Sequence, residues 1–382
     1  MAIKLADLIA AFEDWAPLGL AEEWDNVGLQ VGSPQQAVAH VTLALDLTPK
    51  VLRQALDVGA DCIVTHHPFF FHGLKRLDLE TPQGQMIKTL LTHDMALLSL
   101  HTNLDSARNG VTELLARALK LKIKQALRPC PGAKLCKMVV YVTKGYEEMV
   151  RKVVLESEAG VQGEYRGCTF SCEGTGSFFP GPESKPHVGE KGRLNLVPES
   201  RIEFLVPEFA VSSLVSRLRE IHPYEEMPLD LYPVKGVDRR VGLGRIGELP
   251  LELTVEELAR KVADIVGTEA VFVVGERHRL VRKVALCGGA GADLISEAQK
   301  LGAEVFVTAE VKYHQAREAE AQNFPLVVLG HFESEKLIVP EMAEYLRGWA
   351  ERCSCPLKIT VLEEESPFKL VEGTKGSSPE SC

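Results

Sequence analysis

Two separated stretches of this chain each end an apolar run in residues able to bind a metal, and they read as two copies of one design. The first is GADCIVTHHP (59–68) with MALLSLHTNLD (95–105), and the second is GAEVFVTAE (302–310) with PLVVLGHFESE (325–335). Superposed, His101-x-x-x-Asp105 falls on His331-x-x-x-Glu335. Each apolar run is short, rich in Val, Ile and Leu, and bounded by turn or polar residues, as expected for a strand buried on both faces of a sheet. In open α/β sheets, ligands bind beyond the carboxyl ends of the strands. Four such ends bearing His, Asp and Glu therefore describe one pocket built twice, of a kind suited to two metal ions.

At 382 residues the chain exceeds the size at which one core usually stops growing, so two domains are expected. A net charge of -10, with no basic run longer than Arg239-Arg240, argues against a nucleic-acid footprint. Residues 3–20 carry Lys4, Asp7, Glu13 and Asp14 where a signal peptide would be apolar. No apolar run reaches the roughly 20 residues of a membrane span. Nine scattered cysteines, with Cys62 and Cys287 inside apolar runs, favour a reducing cytoplasm over a disulfide framework. Cys168-x-x-x-Cys172 and Cys353-x-Cys355 lack the paired spacing of a zinc ribbon.

The first part of the chain reads as a helix over 4–15, a turn-rich segment at 24–28, and then a βαβαβ run. Its strands are 41–47, 62–65 and 96–100, and its helices 48–58 and 82–92. The same order recurs late, with strands at 281–287, 305–308 and 326–329, helices at 292–301 and 312–321, and a closing helix over 333–347. This predicts a duplicated α/β domain with a mostly parallel sheet. Between the halves, strands at 138–142, 168–172, 201–206 and 227–232 and helices at 146–155 and 209–220 give a βαββαβ order, the ferredoxin-like arrangement. A Gly/Pro-rich excursion covers 174–192, and 239–248 is the re-entry. The expected division is 1–128 plus 238–370 for the α/β domain and 129–237 for the insert. A polar tail, expected to be mobile, starts near 363 and is set apart as its own segment over 371–382.

His66 and His67 are adjacent, so in a regular strand their rings point to opposite faces, and Pro68 ends the strand. Such a pair can serve two neighbouring ions, although a lone His-His pair is as often a cap or surface feature. His331 and Glu335 are four apart at a helix start and share one face. Asp105 supplies a hard anionic ligand from the first half. His101 pairs with His331 in the duplication, yet the first half already offers two imidazoles, so it reads either as a group behind a metal ligand or as a proton-transfer group. Glu310, Glu333 and Asn103 are near enough in sequence to back a metal-bound imidazole. Lys312 and His314 would hold an anionic substrate, with solvated helix residues as the equal alternative.

Gly242-x-Gly244-x-x-Gly247 matches a dinucleotide fingerprint but opens no helix directly after a strand. Gly288-Gly289-Ala290-Gly291 does follow a strand, and reads as an anion cradle or a tight structural turn. His222-Pro-Tyr-Glu-Glu226 suggests capping and packing between subunits rather than catalysis.

The motifs THHP, HTNLD, TAEVKYH and GHFESE, joined by WDNVGLQVG, GLGRIGEL and HPYEE, fall in order along nearly the whole chain. In them the chain resembles the Nif-three-like dinuclear-metal hexameric proteins, whose members are called GTP cyclohydrolase 1 type 2 homologues. The resemblance implies His66, His67, Asp105, His331 and Glu335 as metal ligands, with Glu335 bridging. It also implies a toroidal homohexamer built as a dimer of trimers and an insert resembling the PII and CutA folds. Many members have Thr-Gly-Asp where this chain has Thr308-Ala309-Glu310, which keeps an acid but removes a glycine.

The leading expectation is a cytoplasmic hydrolase that uses two divalent cations (Zn, Fe or Mn) to activate water against a nucleotide-like or phosphorylated small molecule. For GTP ring opening, water would attack C8 while His101 moves protons. The alternative is a non-catalytic metal-binding adaptor or regulatory hexamer.

Overall fold

The structure, a computed structural model, describes residues 2–371. The short Val/Ile/Leu runs form the centres of two sheets. In the first, Lys358–Val361, His40–Ala44, Cys62–Thr65 and Ala96–Ser99 run parallel, and Gly28–Val31 closes the edge antiparallel. In the second, Leu280–Leu286, Val305–Ala309 and Leu326–Leu329 are parallel neighbours, flanked by antiparallel Leu243–Thr254, Lys122–Arg128 and Phe272–Val274. Every residue of Cys62–Thr65, Ala96–Ser99 and Val305–Ala309 is buried, because packed cores cover both faces of each sheet.

Helix ends follow their sequence signals. Thr48 and Thr81 cap Pro49–Asp57 and Pro82–Thr92 by accepting from Val51 and Gly84, with proline in the first turn of each. Val255–Val266 opens on a Thr254/Glu257 capping box and stops at Gly267, whose φ is +64°. Among the described residues no helix is long and apolar enough to cross a membrane.

The third sheet is entirely antiparallel, in the order Leu229–Val237, Lys134–Thr143, Asn195–Pro207, Phe170–Phe178. Helices Glu147–Leu155 and Val211–Ile221 bury their apolar stripes in one core with it.

Several expectations need correction. The five-stranded sheet is mostly parallel, three of its four pairings, but the six-stranded sheet is mixed, with only two of its five pairings parallel because antiparallel strands pair at its flanks. The segment 239–248 is no simple re-entry, since Leu243–Thr254 is a long strand inside that sheet, and a strand not foreseen, Gly28–Val31, follows directly on the turn-rich segment. Most of the first segment of the excursion 174–192 is strand too. Phe170–Phe178 pairs as far as Asn195↔Phe178, and Gly176 makes room for a neighbour: a Cβ there would lie 2.1 Å from Glu199 Oε2. The closing helix is two, His331–Glu335 and Ile338–Arg352. Near the start of the tail the chain is anchored, because the Glu364 carboxylate accepts hydrogen bonds from the backbone N–H groups of Leu45 and Asp46, the latter at 2.9 Å. The tail assigned to 371–382 lies outside the described residues beyond Val371.

Candidate metal centre

Carboxyl ends of strands from both α/β sheets converge on one pocket. The strand ends at Thr65, and past it two consecutive N–H groups, His66 to Ala44 O and His67 to Leu45 O, donate to the same neighbouring segment, so the backbone turns out of the ladder and both imidazoles reach the one pocket. The His66 ring is fully buried, and its Nδ1 donates to the Leu100 carbonyl at 2.7 Å. A carbonyl can only accept, which leaves Nε2 as a lone pair facing the pocket, and that buried atom has no hydrogen-bond partner. It lies 3.7 Å from Asp105 Oδ1 and 4.0 Å from Glu335 Oε1. The His67 ring sits 5.0 Å from that of His66, centroid to centroid; its Nδ1 meets Asp46 Oδ1 at 2.8 Å and its Nε2 meets Glu335 Oε2 at 2.9 Å.

His101 caps the short helix Thr102–Ser106, which places Asp105 one turn on. Its Nδ1 is held by Asp25 Oδ1 at 2.9 Å, and Asp25 is fixed in turn by the Thr102 backbone N–H at 3.0 Å and the Thr102 hydroxyl. In the other half, His331 and Glu335 share one face of His331–Glu335, with Nε2 and Oε2 3.0 Å apart. Glu310 Oε1 sits 2.7 Å from His331 Nδ1. Ala309 is an ordinary buried strand residue, and the left-handed conformation falls on Glu310, with φ of +51°. The glycine absent at 309 is thus no obstacle here.

Donor atoms of His67, His331 and Glu335 lie within 4.8 Å of one another, as do those of His66, Asp105 and Glu335, and those of His66, His67 and His101. Glu335 belongs to two of these groups, which is what a carboxylate shared between two ions requires. The orphaned His66 Nε2 and a donor set of imidazole and carboxylate fit first-row divalent cations. Gly289 tightens the fit, because a Cβ there would lie 2.0 Å from Glu335 Oε1. The Gly288–Gly291 loop acts as a packing turn rather than an anion cradle: Gly289 N–H is taken by Ser334 Oγ and Gly288 N–H by Thr112 Oγ1.

The charge states reflect this crowding. Burial holds the His66 imidazole down at about 3 and lifts the Asp105 carboxyl to about 7, with the Glu335 charge adding to the latter. Burial also opposes a charge on His67, but hydrogen bonds to Asp46 and Glu335 outweigh it and raise the imidazole to about 10. His331 rises to about 9, chiefly through its bond to Glu335. Burial opposes ionisation of both Glu335 and Asp25, yet His331 and His67 hold the first ionised, and bonds to His101 and Thr102 hold Asp25 down at about 2. Without a cation, protons on His67 and His331 balance the Glu335 charge.

All six residues predicted for the centre (His66, His67, His101, Asp105, His331 and Glu335) come together, and Glu310 backs His331. The four remaining candidates stay outside the donor groups. Lys312 and His314 are exposed at the head of Tyr313–Ala321, and the Glu333 carboxylate folds over Gly330. Asn103 turns away, its side-chain amide donating to Ala16 O. Sequence reasoning missed Asp25 and Asp46 as the carboxylates behind His101 and His67. Asp46 carried a usable signal, since it follows the apolar run 41–45 at a strand end as His66 does. Asp25 carried none beyond a turn-like neighbourhood.

The family model described as Duf34/NIF3 (NGG1p interacting factor 3) matches residues 3–367. A Bacillus subtilis protein called GTP cyclohydrolase 1 type 2 homolog is 39% identical, covering 95% of this chain and 98% of its own length. A Listeria monocytogenes protein of the same description is 37% identical over 95% of each chain. Among solved structures, a Bacillus cereus protein related to NIF3 superposes with a TM-score of 0.83 at 35% identity, covering 97% of this chain and all (100%) of that one. A Staphylococcus aureus protein superposes with a TM-score of 0.69 at 28% identity, covering 97% and 99%.

Proposed function

We propose, from the premise that this chain belongs to the Duf34/NIF3 family, that it is a dinuclear divalent-metal protein and works as a metal-dependent hydrolase on a nucleotide-like or phosphorylated substrate. The observation that carries the reading is the buried, unpartnered His66 Nε2 beside Asp105 and Glu335. A lone pair kept out of water without a partner costs roughly 1–3 kcal/mol, and a cation removes that cost. His67, His331 and Glu335 would hold one ion and His66, Asp105 and Glu335 the second, with Zn, Fe and Mn all compatible. Cations there would act as Lewis acids on water and on a phosphoryl or carbonyl oxygen.

The remaining roles belong to the chain's own side chains. Asp46 and Glu310 orient His67 and His331 through Nδ1, and Asp25 does the same for His101. His101 faces the same space as His66 and His67 and is the proton-transfer group. The substrate class is supported by the name of the Bacillus subtilis relative and by the chemistry of the donor set.

In the same reading, 1–128 plus 238–370 form a duplicated α/β domain and 129–237 an inserted ferredoxin-like domain akin to PII and CutA. The strand order of the antiparallel sheet, fourth-first-third-second in chain order, supports the insert. Assembly as a toroidal homohexamer and a cytoplasmic location belong to this proposal too. The test is metal content per chain by elemental mass spectrometry on protein purified without chelator, beside His67→Ala. Close to two ions, falling in the variant, is expected. Zero or one, unchanged by the mutation and by added metal, would sink the two-metal reading and favour an adaptor.

A further inference from the structure

Two large aromatic side chains stand at the mouth of the metal pocket and are not absorbed by any core. Trp24 is 58% exposed and Phe71 45% exposed. Their rings lie nearly parallel, 17° apart with centroids separated by 6.2 Å. His101 stands edge-on to both, 6.0 Å from Trp24 and 5.5 Å from Phe71. That imidazole shares the space of the donor cluster, so the aromatic pair is one ring away from the chemistry.

The pair is fixed in place. Asn26 Nδ2 donates to Phe70 O at 2.6 Å, and the Phe70 N–H donates to Gln30 Oε1 at 3.1 Å, tying together the two loops that carry Trp24 and Phe71. Asp25, the neighbour of Trp24, is locked onto His101 and Thr102. Beyond Phe71 the same loop continues through His72, Lys75 and Arg76, all exposed. A chain of net charge -10 thus carries two exposed cations, Lys75 and Arg76, four and five residues beyond one member of an exposed aromatic pair that stands over the donor cluster. Exposed apolar surface at a polar cleft marks a recognition site, and flat aromatic faces select flat partners.

We infer that Trp24 and Phe71 form a stacking platform for the planar ring of a nucleoside phosphate, with Lys75 and Arg76 facing its phosphate. This rests on the hydrolase reading for the identity of the pocket and adds which residues choose the substrate. Stacking is indifferent to the exact base, because every base has a π-face. The platform therefore sets a class, ring-bearing phosphates over sugar phosphates, and leaves discrimination among bases to other contacts.

The experiment uses the full-length, metal-loaded protein and calorimetric titration with guanosine 5′-monophosphate and with ribose 5-phosphate. Trp24→Ala and Phe71→Ala should each weaken the nucleotide about tenfold or more, the loss expected when a base loses an aromatic partner. Binding of ribose 5-phosphate should stay as it is in the parent. Tryptophan fluorescence should be quenched by the nucleotide in the parent and not in Trp24→Phe, which keeps the platform but removes the reporter. Metal content measured on each variant separates local loss from misfolding; both side chains are exposed, so it should not change.

Nucleotide binding that is absent in the parent, unchanged in both variants, or lost in parallel with ribose 5-phosphate overturns the platform. So does burial of Trp24 by a second copy in the native assembly, seen as resistance to acrylamide quenching. If the protein holds no metal but Trp24→Ala still abolishes nucleotide binding, the two-metal reading fails while the platform stands. Two bound metals with nucleotide affinity indifferent to both variants is the reverse.

Discussion

Asp25 Oδ1 lies 2.9 Å from His101 Nδ1, across 76 residues of chain, and this single contact fixes which way the imidazole faces the donor cluster. The carboxylate accepts at Nδ1, so Nε2 is the atom turned towards His66 and His67.

Asp25→Asn keeps the shape but removes the charge behind the ring. Replacing such an orienting carboxylate typically costs 10–100-fold in affinity or activity. With metal content unchanged, turnover of the first phosphorylated substrate that reacts should fall by about that factor. Equal kcat in parent and variant would remove His101 from proton transfer.

Metal-free protein should lose stability on the alkaline side. His67 and His331 stand at about 10 and about 9 in the folded chain, against roughly 6.5 when unfolded. Raised values mean the folded state holds extra protons: their contribution is fully present below about 6.5 and is lost as pH rises through 9 to 10. Below about 7, His66 and Asp105 act in opposite senses and largely offset each other. Urea midpoints should therefore fall between about pH 7 and pH 10 in chelated protein and stay nearly level once cations replace those protons. A flat profile in the chelated protein would contradict the charge assignment.

Gly289→Ala should separate metal binding from folding. Gly289 has φ of +61°, and a Cβ there meets Glu335 Oε1 at 2.0 Å; Gly59 has φ of +67° with nothing within 4 Å. Both substitutions incur the left-handed penalty of about 1–2 kcal/mol. Only Gly289→Ala should also displace Glu335 and lower metal content, whereas equal metal content in the two variants would show that the Gly289 contact relaxes without consequence.

Arg245→Met should be among the most damaging single changes outside the centre. Arg245 is 0% exposed, pairs with Glu113 at 2.7 Å, and donates to the carbonyls of Gly244, Ser106 and Ala107. Removing one partner of a buried pair costs about 3–5 kcal/mol. Because Ser106 and Ala107 end the helix bearing Asp105, weaker metal binding should accompany the lower unfolding midpoint. A loss under about 1 kcal/mol would mean that water replaces the guanidinium.

Much of the centre was legible because it is written in local patterns. A strand buried on both faces must be a continuous apolar run, so its end is visible as a change of residue type, and THHP, HTNLD and GHFESE stand at such changes. Helical spacing places Asp105 and Glu335 one turn from His101 and His331. The flanking strands were not legible. Leu243–Thr254 begins LGRIG, whose low strand propensity hides a ladder that forms because Lys122–Arg128 and Leu280–Leu286 offer partners on both sides.

By itself, the sequence determined the residue types of the donor cluster, the two runs of strand and helix that present them, and the antiparallel unit between. Only the tertiary structure decided that Asp25 and Asp46 stand behind His101 and His67, that Glu335 is shared by two donor groups, and that Lys312, His314 and Glu333 stay outside. It also decided that Trp24 and Phe71 meet over His101. The division follows from range: periodicity and capping act between near neighbours, whereas contacts such as His67 with Glu335, 268 residues apart, exist only once packed sheets bring distant strand ends together.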